Sequence, residues 1–304
     1  MQTKQQIRQL LTSAGVRPNK RLGQHFLIDL NLMRLLINSA NIQDNDVVLE
    51  VGCATGSLTE GLAQKAAKVI AVELDKTLAD IAKKHLSKAE NVEILNGDIL
   101  KNKNTINQTI IKTLQASHKK NAGRILLVAN LPYNVAAPVV LNLVKGPAIA
   151  DWATLGFAPA SAMYVTVQKE VAERMRAGPG SSDYGILSIL LGATGEVKVI
   201  RIIKPTAFWP SPQVDSAMVS FVRQKEKVNK IKDMSLLAEI VKLFMNHRRK
   251  MLKSCIKSVA GKLDKINNWT EIFDNCSIDS TLRPEQLSPQ DYVAIANQCC
   301  YKNV

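Results

Sequence analysis

Short apolar runs recur along the first two thirds of the chain, each ending at a glycine, an acid or an asparagine. Val47-Val48-Leu49-Glu50-Val51 runs into Gly52, Val69-Ile70-Ala71-Val72 into Glu73, Val92-Glu93-Ile94-Leu95 into Gly97-Asp98, and Ile125-Leu126-Leu127-Val128-Ala129 into Asn130. Met163 to Val167, residues 197–203 and Ala217 to Val222 complete a set of seven. Runs this short, bounded by turn residues, predict buried strands. Stretches of helical period at 57–66 and 76–88 lie between the first of them. Strands alternating with helices predict an α/β fold with a Rossmann-like doubly wound sheet of seven strands.

The ends of the chain read differently. A short helix is predicted over 3–11, then a basic loop, Arg17-Pro18-Asn19-Lys20-Arg21, then Leu22-Gly23-Gln24-His25-Phe26-Leu27-Ile28-Asp29 and a helix over 31–40. Residues 101–123 are rich in Lys and Asn, and one surface helix is expected there near 105–117. After Arg223 the charged connector 225–230 leads into four helical periods, 234–246, 249–260, 268–275 and 289–300. This change of pattern predicts a catalytic domain over 1–224, with a basic arm over 1–29, and a small all-helical domain over 225–304.

Composition narrows the class. Apolar residues make up 46% of 304, enough for a full core, and no apolar run is long enough to span a bilayer. Residues 1–10 are polar and lack the apolar centre of a secretory signal, so a cytoplasmic location is expected. The five cysteines are scattered without a Cys-x-x-Cys pair, which argues against a disulfide framework or a zinc site. No metal is expected. Forty basic residues against 26 acidic ones give a net charge of +14 and favour a polyanionic partner.

In an open α/β sheet, ligands bind beyond the carboxyl ends of the strands. The first end carries Gly52-Cys53-Ala54-Thr55-Gly56, small residues that let a ligand approach the backbone. The second carries Glu73, 21 positions after Gly52, whose carboxylate can accept hydrogen bonds from ribose hydroxyls. The third carries Asp98, an acceptor for an adenine amino group. These features also suit a dinucleotide fold, although Gly-x-x-x-Gly is not Gly-x-Gly-x-x-Gly.

The fourth end separates the two. Asn130-Leu131-Pro132-Tyr133 brings together an amide oxygen, carbonyls fixed by proline and an aromatic ring. The exocyclic amine of adenine is a poor nucleophile because its lone pair is delocalised into the ring. The Asn130 oxygen and a carbonyl at Leu131 or Pro132 can accept from its two N–H bonds, and Tyr133 can stack an extruded base. That chemistry suits methylation of adenine N6 with S-adenosylmethionine as donor, and requires no dedicated general base.

Taken in order, these motifs resemble the ribosomal RNA adenine dimethyltransferase family, and within it the small-subunit (16S) dimethyladenosine transferases. The resemblance extends through Lys20-Arg21-Leu22-Gly23-Gln24-His25-Phe26-Leu27, Tyr184-Gly185, Phe208-Trp209-Pro210-Ser211-Pro212-Gln213-Val214 and His247-Arg248-Arg249-Lys250-Met251-Leu252. It implies a methyltransferase sheet with S-adenosyl-L-methionine as cofactor, held by His25, Leu27, Gly52, Glu73, Asp98 and Asn130. It also implies that Phe208 helps Tyr133 hold the target base. The implied reaction is dimethylation of two adjacent adenines near the 3′ end of small-subunit rRNA, within a pre-ribosomal particle. Arg17, Lys20, Arg21, Arg248, Arg249 and Lys250 are expected to meet RNA phosphates, and the enzyme is expected to act as a monomer. The chain departs from the family pattern at His25, where asparagine is usual, and at Ala54, where the turn usually has glycine. A macrolide-resistance type large-subunit adenine methylase and a non-catalytic RNA-binding assembly factor are the alternatives on this fold. A nicotinamide-dependent oxidoreductase leaves Asn130 to Tyr133 unexplained.

Overall fold

The seven runs form one sheet in the computed structural model, which describes residues 1–19, 22–103, 105–146, 160–259, 261–266 and 268–301. In chain order its strands are β1 (Val47–Val51), β2 (Lys68–Glu73), β3 (Val92–Asn96), β4 (Ile125–Asn130), β5 (Ala162–Gln168), β6 (Gly195–Ile203) and β7 (Ser216–Arg223). They lie side by side in the order β3-β2-β1-β4-β5-β7-β6. The pairs β1–β2, β2–β3, β1–β4 and β4–β5 are parallel, whereas β7 runs antiparallel to β5. Every residue of β1 is buried, as are the first five of β4, which is why these segments read as unbroken apolar runs. The order reverses between β1 and β4, so their carboxyl ends flank the crevice where such sheets bind ligands.

Helices follow the strands closely, and their boundaries have local causes. The helix after β2 spans Lys76–His85, and the Asp75 side chain accepts from the backbone N–H groups of Thr77 and Leu78 at its start. Its last turn carries Lys83, Lys84 and His85, which suit the negative end of the helix dipole. The 101–123 stretch holds more structure than one helix. Leu100–Asn102 and Thr105–Ile106 pair antiparallel, and the helix begins at Gln108, where Asn107 caps it, and runs to Asn121.

The chain folds as two compact units, Met1–Ala172 with Lys198–Val222, and Glu173–Val197 with Arg223–Val304. The second unit therefore draws on the chain in two pieces, where the sequence reading places a single cut after 224. The cause is the helix Ile186–Thr194, which is apolar nearly all round and packs against helices Met234–Met245 and Pro289–Tyr301. Phe244, Phe273 and Tyr292 are fully buried in this unit, and Phe244 meets Trp269 edge-on at 5.9 Å. The helix expected over 249–260 is shorter, Leu252–Cys255 followed by one 3-10 turn over Ile256–Ser258. Val259 adopts an extended conformation that ends it. Among the described residues no helix is long and apolar enough to cross a membrane.

Candidate active site

The first unit contains a cavity at the carboxyl edge of β1, β2, β3 and β4. Gly52, Glu73, Asp98 and Asn130 line it, one from each strand end, and Leu131, Pro132 and Tyr133 continue the wall from β4. His25 and Leu27 reach it from the N-terminal arm.

The turn after β1 is tightly built. Gly52 has φ +78°, and a Cβ placed there would lie 2.8 Å from Pro132 Cγ and 2.9 Å from its Cδ. The two loops thus touch backbone to ring, a contact that only glycine permits. Ala54 also adopts a left-handed conformation, with φ +52°. Its N–H donates to Glu73 Oε2 at 2.8 Å, and the N–H of Asp75 donates to Glu73 Oε1 at 2.9 Å. Glu73 therefore braces the turn as well as facing the cavity. Burial raises its pKa from the ordinary carboxylate value, and the backbone hydrogen bonds partly offset this.

Asn130 is oriented by a backbone contact. Its Nδ2 donates to the His25 carbonyl at 2.9 Å. A carbonyl oxygen can only accept, so the amide nitrogen must face His25 and the amide oxygen must face away. That Oδ1 atom is buried and makes no hydrogen bond among the described residues. An acceptor left bare in this way costs about 1–3 kcal/mol unless a ligand supplies the missing donor. Asn130 does not cap the following helix, whose N-cap is Val135. The Pro132 carbonyl accepts from Val135 N–H at 3.1 Å, whereas the Leu131 carbonyl accepts no hydrogen bond among the described residues.

Tyr133 is held at both ends. Its hydroxyl and the Ser216 hydroxyl are 2.7 Å apart, and its ring stacks on His25 with centroids 5.3 Å apart and planes at 29°. Burial raises the pKa of its phenol. His25 Nδ1 donates to the Pro210 carbonyl at 2.7 Å, which turns the imidazole toward the 208–210 segment.

The remaining residues singled out in the sequence lie elsewhere. Phe208 is 2% exposed, packs in the core with Leu27, Met33 and Leu36, and does not line the cavity. The reason is a two-residue pairing, Phe26 with Trp209 and Leu27 with Phe208. Side chains alternate across a strand, so Leu27 and Phe208 turn together into the core while Phe26 and Trp209 turn to the other face. Arg17 is exposed, and Lys20 and Arg21 lie outside the described residues. Arg248, in the second unit, is bound to Glu285 at 2.8 Å and to the Ser182 carbonyl at 2.9 Å. Arg249 and Lys250 are exposed beside it.

Glu50, Leu74 and Ile99 are among the cavity residues that the sequence does not single out. Glu50 is 2% exposed, its Oε2 makes no hydrogen bond among the described residues, and burial pushes its carboxyl up to about 8. Its signal is an acid inside an otherwise apolar strand. Leu74, 49% exposed, and Ile99, buried, give the cavity an apolar wall next to Glu73 and Asp98. An apolar side chain directly after Glu73 is the available signal.

The family model for ribosomal RNA adenine dimethylase matches residues 15–297. "Ribosomal RNA small subunit methyltransferase A" of Latilactobacillus sakei is 33% identical over 294 residues, covering 96% of this chain and 93% of that protein. The protein of the same description from Lachnoclostridium phytofermentans is 35% identical over 280 residues, 91% of this chain and 90% of its own. Among solved structures, a dimethyladenosine transferase from Plasmodium falciparum matches with a TM-score of 0.70 at 20% identity, covering 92% of this chain and 99% of that one. The 23S rRNA methyltransferase ErmE matches with a TM-score of 0.59 at 18% identity, covering 90% and 99%. At these identities the two structures speak for the fold, and it is the match of sequence along nearly the whole length that carries the assignment: this chain belongs to the ribosomal RNA adenine dimethylase family.

Proposed function

We propose that this protein dimethylates N6 of two adjacent adenines near the 3′ end of small-subunit rRNA during ribosome assembly, with S-adenosylmethionine as methyl donor. The observation that carries the reading is the bare, buried Oδ1 of Asn130, a cavity-wall residue whose amide nitrogen is engaged by the His25 carbonyl so that its acceptor is left without a donor.

The residues present fit the donor. Glu73 offers a carboxylate for ribose hydroxyls, Asp98 an acceptor for an adenine amine, and Leu74 and Ile99 an apolar surface for a flat ring. Gly52, where a Cβ would already collide with Pro132, keeps the turn beneath the cavity closed against that proline. When bound, S-adenosylmethionine supplies a methyl group already activated by a sulfonium. The task left to the protein is to make the amine nucleophilic and to aim it. Asn130 Oδ1 accepts one N–H of the amine and the Leu131 carbonyl accepts the other, drawing the nitrogen lone pair out of the ring. Tyr133, fixed by Ser216 and His25, offers its ring to the extruded base. Phe208 supports this arrangement from the core by holding the Leu27 strand.

The relatives' descriptions favour the small subunit over the large one as target. The intact Asn130 segment favours an enzyme over a non-catalytic assembly factor. We read the first unit as the catalytic one and the second as an RNA-contacting one through Arg249 and Lys250, acting as a monomer in the cytosol. The test is mass mapping of rRNA adenines from a deletion strain complemented with wild type or Asn130→Ala. Wild type should restore the paired dimethyladenines of the small subunit and the variant should not. Dimethylation of that pair in the uncomplemented strain would sink the assignment.

A further inference from the structure

The first 28 residues carry Lys4, Arg8, Arg17, Lys20 and Arg21 and not one Asp or Glu. The helix Lys4–Ser13 turns Ile7 and Leu11 inward, where they cluster with Phe26 and Leu78, and Ile7 lines the cavity. Its other face is solvent-exposed, and Lys4 and Arg8, four residues apart, share it. The Arg8 guanidinium lies over the Trp209 ring at 5.8 Å from the centroid. Trp209 in turn stacks on Phe26, with centroids 5.9 Å apart and planes at 27°. Three flat groups thus run from buried Phe26 through half-buried Trp209 to exposed Arg8. Among the described residues Arg8 has no acidic partner. The Arg8 cation thus rests on an aromatic surface with its charge unspent.

The platform also stands beside the catalytic cavity. Trp209 precedes Pro210, whose carbonyl holds His25, and His25 stacks on Tyr133. Arg8 follows Ile7, which lines the cavity. An aromatic ring topped by a guanidinium is the kind of surface on which single-stranded bases stack, with the cation adding attraction to the base and to the phosphate.

Resting on the reading of the cavity as an RNA adenine site, we propose that Arg8 and Trp209 form a second nucleotide subsite. It would stack an unpaired base of the rRNA strand flanking the target adenine. Phe26 supports it from below, and Lys4 offers a further positive charge on the same helix face. The subsite recognises single-stranded RNA by stacking and charge, without reading which base is present.

The test uses the full chain with a 12-nucleotide single-stranded oligoadenylate and, separately, immature small subunits. Affinity is measured across a salt series for wild type, Arg8→Ala, Arg8→Lys, Trp209→Phe and Trp209→Ala, with S-adenosylmethionine affinity measured alongside. Stacking of one base predicts a fall in oligoadenylate affinity of about tenfold for Arg8→Ala and for Trp209→Ala. Trp209→Phe should retain most of it. Arg8→Lys should keep the salt slope of wild type yet lose part of the affinity, because an ammonium has no plane to stack. All the variants should bind S-adenosylmethionine as wild type does. RNA affinity unchanged in Arg8→Ala overturns the subsite. So does a Trp209→Ala loss matched by an equal loss of S-adenosylmethionine affinity, since the indole would then act only by packing the cavity wall. If wild type methylates immature subunits and Arg8→Ala binds RNA normally, the subsite fails while the enzyme reading stands. If wild type binds oligoadenylate through Arg8 yet transfers no methyl group, the subsite stands and the enzyme reading fails.

Discussion

Gly52→Ala places one methyl group between two loops that have no room for it. The added Cβ would lie 2.8 Å from Pro132 Cγ and 2.9 Å from Pro132 Cδ. A pyrrolidine ring is stiff and sits on the catalytic loop, so it cannot turn aside as a long side chain would. The φ of +78° adds a second cost, about 1–2 kcal/mol for a residue with a Cβ in the left-handed region. Forcing a methyl into a packed contact adds about 1–3 kcal/mol. Together these predict a loss of about 2–5 kcal/mol in unfolding free energy, read from denaturant midpoints at constant m. The two parts can be separated. Pro132→Ala deletes both clashing atoms but leaves the backbone strain, so the double variant should recover about 1–3 kcal/mol relative to the sum of the singles. S-adenosylmethionine affinity should follow the same pattern, falling in Gly52→Ala and partly returning in the double variant. Additive behaviour of the two substitutions would refute the claim that the glycine exists to let these loops touch.

Asn130→Ala should lower single-turnover methyl transfer about 10²–10³-fold, the loss typical of one preorganised hydrogen-bonding group, while calorimetry shows S-adenosylmethionine still bound; turnover within threefold or so of wild type would remove the amine-acceptor role. Glu50 should make stability depend on pH: its folded pKa of about 8 lies above the ordinary 4.5, so its contribution is fully present below 4.5 and is lost as pH rises toward 8, by on the order of 4–5 kcal/mol. Glu50→Gln should flatten that slope in denaturant titrations at pH 5 and pH 8, and parallel slopes would contradict it. Charge reversal at Arg249 and Lys250 should weaken subunit binding and shallow its salt dependence by about one power per lost phosphate contact. Arg248→Ala should instead lower the stability of the second unit, because its guanidinium is bound to Glu285 and to the Ser181 and Ser182 carbonyls.

The strand ends are legible because a parallel strand buried on both faces leaves a short, uninterrupted apolar run, and whatever follows it sits at the ligand edge of the sheet. Those runs alone are enough to bring Gly52, Glu73, Asp98 and Asn130 to one edge. The resemblance implies a base-holding ring at Phe208, and the sequence itself says nothing of which way that ring faces. Its direction is set by pairing with Leu27, 181 positions earlier, through two-residue strands with no period to detect. Arg248 looks like a phosphate contact for a similar reason, since a basic run does not reveal that its first member faces Glu285. The 249–260 helix is overestimated because Met251 and Val259 are both extended and cut it at either end, breaks that the helical period of the sequence does not show.

The same distinction between backbone and side chain bears on the departure at His25, where the family pattern has asparagine. The structure separates two jobs at this position. The imidazole holds Pro210 and stacks on Tyr133, and those contacts depend on the side chain. The contact that orients Asn130 comes from the His25 carbonyl, which any residue supplies. Exchange of asparagine for histidine therefore leaves the Asn130 amide oriented with its Oδ1 bare, and changes instead how Tyr133 and the 208–210 segment are held. His25→Asn should accordingly spare Asn130 and act on the aromatic side of the site: an altered KM for RNA with methyl transfer from the bound state preserved. A collapse of single-turnover transfer to the level of Asn130→Ala would mean that the imidazole, and not the carbonyl, sets the amide.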